Sequence, residues 1–195
     1  MRPLLGLLLA TALSLPLAAA TVDVRVQDAK GRPVADAVVF AVPEGRQLPL
    51  ARKTAVMDQK NRMFVPHVLA VQTGTSVQFP NSDDVRHHVY SFSPAKPFQL
   101  ALYKGTPANP MLFDRAGVVT LGCNIHDQMN AFIVVVDTPF FEKTAATGRT
   151  ALRDLTAGRY TLRVWYPDMR AEPQPQNISV TADERLEVSF GNGRP

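Results

Sequence analysis

Beyond residue 20 this chain cuts every apolar run short. Short β-branched or aromatic segments are separated along its whole length by clusters of Gly, Pro, Asn and Asp, the punctuation of strands and turns. Residues 22–26 (VDVRV) alternate with period two, 28–33 (DAKGRP) carry turn chemistry, and 37–42 form a second apolar strand. Further strands are expected at 68–71, 76–79, 87–92, 117–121, 131–136, 159–165, 178–180 and 185–190. Sustained helical periodicity is missing, there is no tandem repeat, and the proline cluster at 172–176 reads as a surface loop. An all-β, sandwich-like architecture is the consequence.

The first twenty residues, MRPLLGLLLATALSLPLAAA, follow a different grammar. Arg2 is a short basic start, 4–15 is apolar, and Ala18 and Ala20 form an A-x-A cleavage signal. The run is too short to span a bilayer comfortably, so 1–20 is expected to be a signal peptide and the mature chain to begin at Thr21 in the periplasm. No later run is long enough to cross a membrane. Charge excludes another class of partner: 21 Lys and Arg against 17 Asp and Glu give +4, and removal of Arg2 leaves +3. The charges are interspersed, which is no footprint for nucleic acid.

Cys123 is the only cysteine. It cannot form an intramolecular disulfide, and an exposed free thiol would be a liability in an oxidising compartment. Either it is buried and inert or something is bound to it. Its surroundings, GCNIHDQM at 122–129, add the imidazole of His126 and the thioether of Met129, donors for a soft or borderline metal and not for calcium or magnesium. The spacing Cys-x2-His-x2-Met suits a tight loop between strands better than one face of a helix. Zinc accepts Cys and His, but a thioether serves it poorly and no second Cys is present for a structural site. A fourth donor is available in FPNSDDVRHHVYSF at 79–92, where a strand follows a polar turn. Neighbours on a strand point to opposite faces, so only one of His87 and His88 faces a buried site and the other is expected at the surface. His67 follows Pro66 without comparable context.

These residues resemble the cupredoxins, the blue copper electron carriers, whose ligands are a His in H-x-V or H-x-W on one strand and a downstream Cys-x2-His-x2-4-Met loop. The resemblance implies copper bound by His87, Cys123, His126 and Met129, in a cupredoxin-like Greek-key sandwich, with the short spacing before Met that amicyanin has. FPN-x-D-x-x-x-HHVYSFSPAK and LGCNIHDQM also resemble a group of periplasmic proteins named for methylamine utilization. Cupredoxins commonly carry Asn after the first ligand His, tying the two ligand loops together; here that position is His88, so another tie is needed, and Asn81 and Asn124 are the candidates.

A second resemblance is split in two. VRVQDAKGRPVADAVVFAVP at 24–43 is similar to the opening hairpin of carboxypeptidase regulatory-like domains, small Ig-like β-sandwiches, with its D-x-x-G-x-P turn. TAATGRTALRDLTAGRYTL at 144–162 is similar to their closing half, T-x-x-x-G, then a strand, then L-x-x-G-x-Y-x-L. Residues 21–50 and 137–195 are therefore expected to form one discontinuous sandwich into which 51–136, the copper-binding domain, is inserted. Together these readings imply a periplasmic type 1 copper protein, not an enzyme, that exchanges single electrons with a redox partner such as a cytochrome c or a periplasmic dehydrogenase. Two other readings remain open. One is a copper carrier or sensor; the other makes Cys123 a nucleophile activated by His126, for which no third orienting residue is evident.

Overall fold

A computed structural model describes residues 19–169, 171–182 and 184–191. Of the expected leader only Ala19 and Ala20 fall within them, and Ala20 opens the first strand. The strands are β1 (Ala20–Val26), β2 (Val38–Pro43), β3 (Thr54–Val56), β4 (Asp58–Lys60), β5 (Met63–Val65), β6 (Val68–Gln72), β7 (Thr75–Gln78), β8 (His87–Ser91) and β9 (Phe98–Tyr103). They continue with β10 (Met111–Phe113), β11 (Gly117–Gly122), β12 (Asn130–Val136), β13 (Phe141–Lys143), β14 (Arg149–Leu155), β15 (Gly158–Trp165), β16 (Gln176–Val180) and β17 (Arg185–Phe190). The chain is all-β: no helix occurs among the described residues, so none is long and apolar enough to cross a membrane.

The sheets stack as sandwiches. Sheet β14-β1-β17 faces sheet β13-β2-β15-β16 across a core that includes Val22, Val24, Val39, Leu152, Tyr160 and Leu162. Sheet β10-β7-β3 faces sheet β6-β12-β11-β8-β9 across a second core with Met57, Phe64, Val77, Phe113, Val119 and Ile133. The two inner sheets meet back to back through Val38, Val68, Val134 and Val136, where the rings of Phe132 and Trp165 lie 5.1 Å apart. Strands of these inner sheets are covered on both faces, which is why VVFAVP and NAFIVVV read as unbroken apolar runs. Outer strand β1, ATVDVRV, has one covered face and alternates.

The two separated halves of the N-terminal pattern meet in space. Thr144 donates its hydroxyl to the Val34 carbonyl (2.7 Å) and accepts the Ala37 N–H (2.9 Å). Gly148 has φ +69°, and a Cβ there would sit 2.6 Å from the Val26 carbonyl oxygen and 2.9 Å from Pro33 Cβ. The turn at 28–33 can therefore close against residue 148 only if that residue is glycine. Further on, the buried Tyr160 reaches back and donates its hydroxyl to the Thr156 carbonyl at 2.8 Å, the arrangement of a tyrosine corner. Tyr160→Phe is expected to cost about 1 kcal/mol, read as a lower urea midpoint with an unchanged m-value.

Candidate metal centre

The loop at 123–129 is the connection of one hairpin. Strands β11 and β12 pair antiparallel from Gly117↔Val135 to Gly122↔Asn130, so seven residues close it. Inside the loop the Met129 N–H donates to the His126 carbonyl at 2.9 Å, a turn that brings both ends of Cys-x2-His-x2-Met toward the second core. Cys123 and Met129 belong to that core, and both are buried. Alternation sends Val119, Leu121, Ala131, Ile133 and Val135 to the same cluster. Of the apolar residues flanking the loop, Phe132, Val134 and Val136 instead face the sheet-to-sheet junction.

Strand β8 supplies the other donor. His87 Nδ1 lies 4.0 Å from Cys123 Sγ, and His126 Nδ1 lies 3.9 Å from the same sulfur. The three ligand atoms are all within 4.8 Å of one another. A point equidistant from three atoms so spaced lies about 2.3–2.5 Å from each, near metal–imidazole and metal–thiolate bond lengths. Two imidazoles and a thiol around one point, with the buried thioether of Met129 in the same core as the thiol, are donors for a soft or borderline metal, so the residues fit copper chemically.

His88 points away from this cluster, but it is not at the surface. Only 5% of it is exposed: its Nε2 lies 2.7 Å from Gln99 Nε2, and its ring packs on Tyr90 at 5.6 Å. The expectation that one histidine of the pair would be solvated fails because side chains from β8 and β9 cover the sheet's outer face. A β-bulge between His87 and Val89 in the pairing with β9 sits at the same place; bulges re-aim side chains next to functional sites. His67 is exposed and lies 3.3 Å from Asn130 Oδ1, outside the cluster.

Neither candidate for the tie between loops makes it. Asn124 is exposed. Asn81 is buried, but its amide donates to the Val85 and Tyr103 carbonyls, both at 2.9 Å, and its Oδ1 accepts the Asp83 N–H at 3.0 Å. It builds the turn and touches no ligand in the 123–129 loop. The group that reaches a site residue is Asp83, whose Oδ2 lies 2.7 Å from His87 Nε2. Burial works against its charge, but the Arg62 N–H, His87 and the Asn61 N–H outweigh it and hold the carboxyl below the usual carboxylate range. Burial pushes the Tyr103 phenol up to about 12, against the lowering effect of the Gln59 hydrogen bond. Tyr103 stays protonated and donates to the Phe79 carbonyl at 2.7 Å.

No family model and no curated protein matches the chain. Among solved structures it is similar to a purple cupredoxin from Nitrosopumilus maritimus, at 20% identity and a TM-score of 0.37 over 42% of this chain and 98% of that one. A reduced mutant of amicyanin gives 21% identity and a TM-score of 0.39 over 49% of this chain and 98% of that one. The Cu-containing nitrite reductase from Thermus scotoductus gives 22% and 0.41, covering 58% of this chain and 28% of that one. What this chain binds has to follow from its own donor set.

Proposed function

We propose that this protein is a type 1 copper protein of the cupredoxin kind that passes single electrons in the periplasm. The observation that carries the proposal is the convergence of two imidazole Nδ1 atoms on one buried thiol, at 4.0 and 3.9 Å, beside a buried methionine. When bound, copper supplies a one-electron Cu(II)/Cu(I) couple, for which a trigonal His2Cys set with a weak axial thioether suits both oxidation states. Cys123 gives up its proton to become the thiolate ligand. His87 and His126 would hold the metal beside that thiolate, and Met129 would add a weaker thioether donor. Three of the four sit in or against a packed β-core, so little moves when the electron does, and that core keeps water off the sulfur. His126 is the most exposed of the four, and its ring is the exit for the electron toward a redox protein such as a cytochrome c or a periplasmic dehydrogenase.

Under this reading residues 1–20 direct export and are removed, which N-terminal sequencing of native material beginning at Thr21 would support. Residues 51–136 form the copper domain, and 21–50 with 137–195 form the appended sandwich. A carrier or sensor would release its metal readily; Cys123 at 4% exposure and His87 at 0% favour retention.

The test is a visible spectrum of the copper-loaded mature protein. An intense thiolate-to-Cu(II) charge-transfer band that bleaches and returns through redox cycles with the metal retained supports the proposal; zinc uptake with no colour from Cu(II) defeats it. A redox titration of Met129→Leu should show copper still bound and the potential moved upward, because loss of the axial donor disfavours Cu(II).

A further inference from the structure

Resting on the copper reading above, we infer that Asp83 is the positioning residue of the centre, through a hydrogen bond that fixes the ring of His87 and makes it a stronger donor. A neutral imidazole carries one N–H and one lone pair. With the Nδ1 lone pair given to the metal, the proton would sit on Nε2, and Asp83 Oδ2 lies 2.7 Å from that atom. A carboxylate accepting from the far side of a ligand imidazole fixes its tautomer and orientation and raises its basicity.

The carboxylate is itself held from two directions. Its Oδ1 accepts the Asn61 N–H at 2.6 Å and its Oδ2 accepts the Arg62 N–H at 2.9 Å. Those two residues form the two-residue turn between β4 and β5 and have φ +55° and +58°. Two successive left-handed residues are what such a hairpin turn requires, and an arginine there is strained. The same conformation aims two adjacent N–H groups at one carboxylate. Asn81 fixes the Asp83 backbone through the Asp83 N–H at 3.0 Å. Asp83 therefore joins the β4–β5 hairpin, the 81–86 turn and His87. His126 is held differently: among the described residues no protein group bonds its Nε2, so one imidazole is clamped and the other is left facing out.

The experiment uses the mature protein, wild type beside Asp83→Asn and Asp83→Ala, with Cu(II) and Cu(I) affinities from competition with chelators, the reduction potential, and thermal unfolding of the metal-free forms. Both variants should keep the visible band and lose about ten- to a hundredfold in Cu(II) affinity, with a smaller loss for Cu(I). The potential then rises, by about 59 mV for each tenfold by which the Cu(II) loss exceeds the Cu(I) loss. A variant that unfolds at lower temperature yet keeps wild-type affinities and potential would show that Asp83 only supports the hairpin, and would overturn the inference. Should Asp83→Ala fail to fold, Asp83→Asn decides, since the amide keeps an acceptor for the turn while removing the charge. Failure of the copper reading looks different: wild type itself gives no band.

Discussion

Cys123→Ser should erase the visible band and most of the copper affinity while leaving the fold in place. Among the three clustered donors only the sulfur is both soft and anionic once metallated, and its covalency with Cu(II) is the origin of the band. A serine hydroxyl has no comparable acidity, so at neutral pH it offers a neutral, hard donor in the same place. The exchange is nearly isosteric, but the site is 4% exposed within an apolar cluster. An unsatisfied hydroxyl there costs about 1–3 kcal/mol, which lowers the unfolding midpoint without abolishing the native state. Absorption spectra, copper stoichiometry and far-UV circular dichroism on the same sample separate the outcomes. A folded variant that keeps the intense band would mean the chromophore is elsewhere and would remove Cys123 from the centre.

Much of this arrangement is written in periodicity. The alternating ATVDVRV and the unbroken NAFIVVV declare one covered face and two, respectively, because solvent touches one side of the first strand and neither side of the second. Cys-x2-His-x2-Met between two strand patterns gave a hairpin loop with its donors together. Thr144 and Gly148, read only as half of a pattern, proved to touch Val34 and Pro33, over a hundred residues earlier.

What stayed hidden is what depends on contacts between distant segments. Strand β4 is DQK, with no apolar signal, and it is a strand because β5 pairs with it across Asn61 and Arg62. Strand β14, RTALRDL, has no apolar run of its own, since two of its seven residues are buried; only the resemblance implied a strand there, and it pairs with β1 along five residues. Asp83 lies four residues before His87, the one local hint of its role, but its partners at 61 and 62 come from a hairpin that the pattern does not announce. The burial of His88 depends on Gln99 from the neighbouring strand.

Substituting the adjacent histidines separately should give opposite results. In His87→Ala the plane loses a nitrogen donor whose Nδ1 faces the sulfur, and the Asp83 carboxylate loses its imidazole partner. A half-buried carboxylate is then left with backbone N–H groups alone, and the space vacated by a fully buried ring opens the site to water. The band should vanish, or be replaced by that of a site with water or an added imidazole in the gap, and copper should be lost to mild chelators. His88→Ala changes the other face of the sheet: Gln99 loses its partner and Tyr90 a ring neighbour. Its expected cost is stability, on the order of 1–3 kcal/mol for truncation of a buried polar side chain, with the band and copper stoichiometry retained. Because the two residues share a strand and a chemistry, each variant controls for the other. Loss of the band in His88→Ala with its survival in His87→Ala would invert the strand register at the bulge and exchange the roles of the pair.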